Sequence, residues 1–253
     1  MNDNLTASTL TAALSTPGSL AVQVLESTDS TNADARRAFL NGANTATLIA
    51  ANSQTAGRGR MGRQFFSPAG AGAYFSLLLP LSAPPSSILY ATCAAGVAMR
   101  RGILQTTGQD VQIKWVNDLQ LGGKKVCGIL AEALSMGDRH ALIVGVGINL
   151  HPIAFPPELA ELAASLNCST CTRSALIAAC TQELLAILQA EPGAWLAEYR
   201  AHSCTLGRQV RILQNGSVLA QGTATDVRAD GALCLRTNSG EAITVTSGEV
   251  SLR

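Results

Sequence analysis

The chain has 253 residues, 47% of them hydrophobic and 14% charged, with a formal net charge of +1. That balance describes a compact protein with a sizeable core and excludes both a disordered chain and a general electrostatic pull toward nucleic acid, so any anion binding has to be local. Mean hydropathy is +0.22, but the longest apolar stretches (Ala141 to Leu150, Tyr74 to Leu81) are too short for a membrane span, and Met1 to Asn4 do not open a signal peptide, so a cytoplasmic protein is expected.

In chain order, residues 1–20 are rich in Thr, Ser and Ala with a break at Pro17-Gly18, and read as a tail. Val22 to Leu25 is a short strand candidate, and the hydroxyl- and amide-dense run Ser27 to Asn32 marks a helix start. Thr45 to Ala51 and Tyr74 to Leu79 read as buried strands, and Ser86 to Gln105 as a core helix. Val111 to Trp115 and Val126 to Ala133 read as strands on either side of a Gly122-Gly123 turn, which suits a tight hairpin. Ala141 to Leu150 is the most strand-like run, and Arg173 to Gln189 and Trp195 to Ala201 read as helices. After Thr205 come four short alternating segments with turns at Asn215-Gly216, Asp230-Gly231 and Ser239-Gly240, the pattern of a small barrel or sandwich. The fold class is therefore α+β, with a catalytic-sized mixed domain over 21–204 and a small β domain over 205–253.

Seven cysteines are scattered through the chain. Cys168 and Cys171 have C-x-x-C spacing, but no second pair or histidine cluster accompanies them, so they read as small buried hydrophobes.

The stretch most charged with chemistry is Gly57-Arg58-Gly59-Arg60-Met61-Gly62-Arg63, three arginines and three glycines in seven positions. Glycines let a backbone come close to a ligand, and guanidinium forks bind phosphate or carboxylate, although a solvated basic turn has the same composition. The run also matches G-x-G-x-x-G, but Arg63-Gln64-Phe65-Phe66-Ser67-Pro68 follows where a dinucleotide fold needs an apolar helix, and that reading is rejected. A second motif is Lys114-Trp115-Val116-Asn117-Asp118 with Lys125 seven residues on. On a hairpin these place Asp118 and Lys125 on facing strands, as a buried proton-handling pair or an ordinary surface ion pair. Ser30-Thr31-Asn32 taken alone is a helix cap. Gly145-Val146-Gly147-Ile148-Asn149 is a strand end whose glycines either pack closely or let a planar ligand lie on the backbone.

Taken together, Ser30-Thr31-Asn32, Gln54, the 57–63 run, Lys114 to Asp118, Lys125 with Gly128, Gly147-Ile148-Asn149 and Gly248-Glu249-Val250-Ser251-Leu252-Arg253 stand in the order and spacing of biotin protein ligases, the biotin–[acetyl-CoA-carboxylase] ligases. The chain resembles that family from about Val22 to Arg253. The resemblance implies a mixed-sheet catalytic domain of the biotin/lipoate ligase type followed by a small SH3-like β-barrel. It implies a two-step reaction through biotinyl-5′-AMP, with biotin and ATP as substrates and Mg²⁺ accompanying the phosphates rather than held by the protein. The acceptor is a lysine on the biotin carboxyl carrier domain of a carboxylase. By the same likeness Ser30, Thr31, Asn32, Gln54, Arg58, Gly59, Arg60 and Lys125 line the biotin pocket. Arg60, Arg63, Lys114, Trp115, Asn117, Asn149 and Arg253 border the nucleotide, and Arg58, Arg60, Asp118 and Lys125 carry the chemistry.

The chain departs from the family pattern in places. Val116 replaces the usual proline of K-W-P-N-D, Phe65 stands where a tryptophan is frequent, and Gly72 where many members have Asn. Pro152 to Cys171 holds no tryptophan of the kind that stacks on adenine in some members. Residues 1–20 are about a third of what a helix-turn-helix needs, so no DNA-binding repressor role, nucleic-acid partner or membrane partner is expected. Monomer and homodimer both stay open. A lipoate or octanoate ligase or transferase is the nearest rival and lacks the arginine-glycine loop; a non-catalytic binding protein would have lost Arg58, Arg60, Asp118 or Lys125.

Overall fold

The computed structural model of the protein describes residues 4–15, 18, 20–85, 87–191, 193–214 and 216–252; Pro17, Ser86, Asn215 and Arg253 lie outside the described residues. A seven-stranded mixed sheet runs in the order β1-β2-β3-β7-β6-β5-β4. Its strands are β1 (Ala21–Leu25), β2 (Thr47–Ala51), β3 (Gly72–Leu81), β4 (Gln112–Lys114), β5 (Asp118–Leu121), β6 (Lys124–Met136) and β7 (Arg139–Asn149). Among the described strands of this sheet, β1 and β2 pair in parallel and the other neighbours are antiparallel.

The two faces of this sheet are covered differently. Side chains alternate across a strand, so Ala73, Phe75 and Leu77 of β3 point into the main core with the helices α3 (Ile88–Thr107) and α4 (Arg173–Gln189). The other face carries α2 (Thr31–Leu40), whose Ala35 and Phe39 pack on Ile49, Leu78, Leu134 and Ile143. Along that second face the sequence changes character within two residues. Leu78 pairs with Ile143, but the next same-face row pairs Ser76 with Gly145 and Gly145 with Leu130, and the row beyond pairs Gly147 with Gly128. Large residues seat the body of α2; small ones leave a hollow beside its N-terminus.

A second sheet, entirely antiparallel, has the order β11-β10-β9-β8-β12. Its strands are β8 (Gln209–Gln214), β9 (Ser217–Val227), β10 (Leu233–Arg236), β11 (Ala242–Val245) and β12 (Glu249–Leu252). This is the small β domain, built of five strands where four alternating segments are legible; the fifth is the short Glu249–Leu252 edge strand paired to β8. The short helix α5 (Leu196–Ala201) precedes it.

Two expectations need correction. Residues 1–20 do not all trail: α1 (Ala7–Ala13) begins with a capping box between Thr6 and Thr9, and Leu5, Leu10, Leu14 and Leu20 are buried in the main core. A few leucines on a Ser/Thr/Ala background are enough to seat a short helix. The arm facing β6 across the Gly122-Gly123 turn is also not Val111 to Trp115 but Asp118–Leu121. The chain reverses at Trp115–Asn117, where the Trp115–Val116 peptide is cis, and β4 pairs with β5 on its far side. Both glycines of the turn have positive φ, +57° and +82°, as a two-residue hairpin turn requires.

Candidate functional site

The hollow beside α2 is the inner end of a cavity of about 870 Å³. Every candidate residue among the described ones, from Ser30 to Asn149, lies on its wall. Four groups of contacts build it.

At the start of α2, Ser30 occupies the N-cap position yet makes no side-chain capping bond, contrary to the simplest reading of that motif. Its hydroxyl is left for the cavity. Thr31 and Asn32 are fixed from several sides. Gln54 Oε1 accepts from the Thr31 backbone N–H at 2.9 Å, and the Ser76 hydroxyl reaches Thr31 Oγ1 at 2.7 Å and Asn32 Oδ1 at 2.6 Å. Asn32 Nδ2 donates to Glu132 Oε2 at 2.8 Å. Thr31 and Asn32 are 3% and 4% exposed, so these amide and hydroxyl dipoles are held rigid in a low-dielectric wall. Gly145 makes room for them, because a Cβ there would lie 1.7 Å from Asn32 Oδ1.

The arginine-glycine loop folds back on itself, Gly59 N–H donating to Arg63 O at 2.7 Å and Phe65 N–H to Gly57 O at 2.9 Å. Phe65, just beyond it, lies over Gly147, where a Cβ would come within 2.5 Å of its ring. The planar group resting on those glycines is thus a side chain of the protein. Arg60 reaches into the cavity and donates to two neutral oxygens, Asn117 Oδ1 at 3.2 Å and Gly248 O at 3.4 Å. Burial pulls the Arg60 guanidinium below the usual arginine value, with Asp118 and Glu249 opposing from a distance. Arg58 is exposed on the rim. Arg63 forks onto Glu249 of β12, which raises its basicity.

Lys125 and Asp118 meet at 2.6 Å, Nζ to Oδ1, as a charge contact rather than an aligned hydrogen bond. The pair falls between the two readings left open, buried pair and surface ion pair: the lysine side chain is 33% exposed, and it opens onto the cavity. The two do not face each other directly. Asp118 pairs with Gly128 and Lys125 with Gln120, on either side of a register shift at Leu119/Gln120.

The last group is the end of β7. Asn149 is 3% exposed; its Nδ2 donates to Ala164 O at 3.0 Å, and its Oδ1 is buried with no hydrogen-bond partner among the described residues. Residues 155–163 close this side, with Phe155, Leu159 and Leu162 on the wall and Phe155 against Phe66 at 6.3 Å between ring centres. Trp115 borders the cavity but spends its indole N–H on Gly231 O at 2.9 Å, joining the two sheets' territories. Lys114 sits half-buried on the wall. Sequence reasoning did not single out Phe155, Gly145 as a cradle for Asn32, or Glu249 as a partner of Arg63; only the presence of Glu249 in the last motif hinted at it.

A large cavity ringed by cations, with rigid amides at one end and apolar rings at the other, suits an anionic small molecule with both polar and apolar parts. Comparison with known proteins gives that class a family. Residues 24–149 match the Biotin/lipoate A/B protein ligase family, and residues 205–253 match the Biotin protein ligase C terminal domain. The chain belongs to the biotin protein ligase family. It is 31% identical to the biotin–[acetyl-CoA-carboxylase] ligase of Mycobacterium tuberculosis over 90% of this chain and 88% of that one. It is 42% identical to the bifunctional ligase/repressor BirA of Bacillus subtilis over 57% of this chain, a match that spans 44% of the length of that relative. Among solved structures, the biotin protein ligase from Aquifex aeolicus in complex with biotin and ATP superposes with a TM-score of 0.75 at 28% identity, covering 92% of this chain and 98% of that one.

Proposed function

We propose that this protein joins biotin to a lysine of a biotin carboxyl carrier domain, using ATP and passing through biotinyl-5′-AMP. The observation that carries the reading is the convergence of Arg60 and Lys125 on one cavity, the first with no carboxylate in hydrogen-bonding contact among the described residues. A half-buried guanidinium whose bonds among the described residues go to neutral oxygens is prepared for an incoming anion, and in this reaction two anions must meet.

In the first step a biotin carboxylate oxygen attacks the α-phosphorus and pyrophosphate leaves. Arg60 and Lys125 lower the repulsion between carboxylate and phosphate and stabilise the charge that grows on phosphorus. The held amides and hydroxyls of Ser30, Thr31, Asn32 and Gln54 bind the polar ring of biotin. The orphaned Asn149 Oδ1 accepts from the nucleotide, whose base packs on the apolar side with Phe155. Mg²⁺ carried on the triphosphate would supply further positive charge beside Arg60 and Lys125. In the second step the acceptor amine attacks the carbonyl carbon and AMP departs. Asp118 is placed to orient that amine and take its proton once Lys125 shifts toward the phosphate.

The test is pyrophosphate release from ATP on addition of biotin, with lipoate and octanoate as controls. Release with biotin alone is expected. Release with lipoate or octanoate and none with biotin moves the protein to a different acid. No release with any acid removes the ligase reading.

A further inference from the structure

Behind the inner end of the cavity a carboxylate on β6 ties down one face of α2. Asn32 and Arg36 stand four residues apart on that helix, so their side chains reach the same neighbour. That neighbour is Glu132, whose Oε2 accepts from Asn32 Nδ2 at 2.8 Å and whose Oε1 accepts from Arg36 Nη2 at 3.0 Å. Its side chain is 19% exposed, against 42% for Arg36. The other groups around Asn32 decide what its amide has left to offer. Nδ2 gives its second proton to Leu130 O at 3.3 Å, and Oδ1 takes the Ser76 hydroxyl at 2.6 Å. Both amide protons are thereby placed, and one of the two lone pairs on Oδ1 is engaged. Oδ1 lies in the hollow that Gly145 leaves, on the cavity wall. Asn32 therefore meets a ligand there as an acceptor and not as a donor.

We propose that Glu132 fixes this hydrogen-bonding sense, and with it the pocket's preference for a ring that carries N–H donors, as the ureido ring of biotin does. A carboxylate can only accept, so it holds the Asn32 amide with Nδ2 toward β6 and Oδ1 toward the hollow; Leu130 O supports the same sense from farther away. Glu132 is a positioning residue acting through Asn32, and the proposal rests on the reading of the cavity as a biotin site. Arg36 makes this role separable from packing. A guanidinium can only donate, so in Glu132→Gln it keeps the one amide oxygen and turns the new NH₂ group onto Asn32 Nδ2, donor against donor. Asn32 is then driven to turn over against Leu130 O, and the cavity meets an N–H where it had an oxygen.

Biotin affinity is measured by calorimetry without ATP, so no turnover intervenes, beside a melting curve for each variant. Glu132→Gln should bind biotin about tenfold more weakly or worse. Removing Arg36 lets the glutamine turn its oxygen to Asn32, so the double variant Glu132→Gln with Arg36→Met should recover to within about threefold of the parent, as should Arg36→Met alone. A pair that only fastened α2 to β6 would give the opposite, the double variant binding no better than Glu132→Gln. Parent-like binding in Glu132→Gln, or a double variant as weak as Glu132→Gln, overturns the proposal. The double variant and Arg36→Met also form a test that does not need Glu132→Gln to fold: a gap of about tenfold between those two overturns it as well. If the parent binds no biotin, the biotin reading itself falls; if the parent binds biotin and the variants do not follow this pattern, only the role of Glu132 is lost.

Discussion

Lys125 reaches Asp118 by crossing over Gly128. The two charged groups sit on opposite sides of a register shift, and the lysine stem lies where a side chain at 128 would project, with Cε and Nζ both 2.9 Å from an ideal Cβ. The 2.6 Å ion pair therefore depends on a residue that takes no part in any reaction.

Gly128→Ala should fold, because the atoms it meets are the far end of a flexible side chain. It should move the ammonium off Asp118 and away from the transferring phosphate. The expected result is a loss of biotin-dependent pyrophosphate release on the order of tenfold or more, carried by kcat rather than by the KM for either substrate. Steady-state kinetics with a parallel melting curve decides it; a fall in KM-based affinity with kcat intact would contradict it.

Gly145→Ala is a harsher change. Its Cβ would meet Asn32 Oδ1 at 1.7 Å, and Asn32 cannot retreat without breaking its bonds to Ser76 and Glu132. A destabilisation of about 2 kcal/mol is expected, from overpacking and lost buried hydrogen bonds, together with at least a tenfold loss of biotin affinity. Thermal unfolding and calorimetry with biotin read the two effects separately.

Asn149→Ala removes the orphaned acceptor and the tie to Ala164. The KM for ATP should rise about tenfold, the worth of one or two good hydrogen bonds, while biotin affinity holds. Equal losses for both substrates would place Asn149 outside the nucleotide end.

Stability should fall on the alkaline side. Burial pushes the Cys93 thiol from an ordinary 9.0 up to about 12, and raises the Cys127 and Cys180 thiols and the Tyr74 and Tyr199 phenols as well. Above pH 9 for the thiols, and above pH 10 for the phenols, the unfolded chain has released protons that the folded one still binds, so folding loses up to about 1.4 kcal/mol per pH unit for each such group. Their contribution is complete below pH 9 and drains away as pH rises toward 12. Denaturant melts from pH 8 to pH 11 test it, and a flat midpoint over that range would contradict it.

The reach of sequence reasoning tracks the length scale of the interactions involved. The helix Arg173–Gln189 and strands such as Thr47–Ala51 are legible because their apolar repeat is local and long enough to be unambiguous. The four-residue strand Asp118–Leu121 is not, since its alternation is too short to separate from a turn, and a tight reversal bounds it on each side, to Lys114 and to Lys124. Helix α1 hides in a composition that resembles a linker until Leu10 and Leu14 find the core. In the candidate site, motif spacing points to residues that line one cavity but not to their partners. Asn117 turns to Arg60, the Trp115 indole to Gly231, and Arg63 to a carboxylate 186 positions away. The last two of those contacts arise only when the second sheet closes on the first.

The most direct test of the account is mass spectrometry of a purified biotin carboxyl carrier domain incubated with this protein, biotin and ATP-Mg²⁺. The account requires a gain of one biotinyl group on the carrier lysine that needs ATP and disappears in Arg60→Ala and Lys125→Ala. A carrier that stays unmodified under those conditions, or one that is modified equally by both variants, would contradict it.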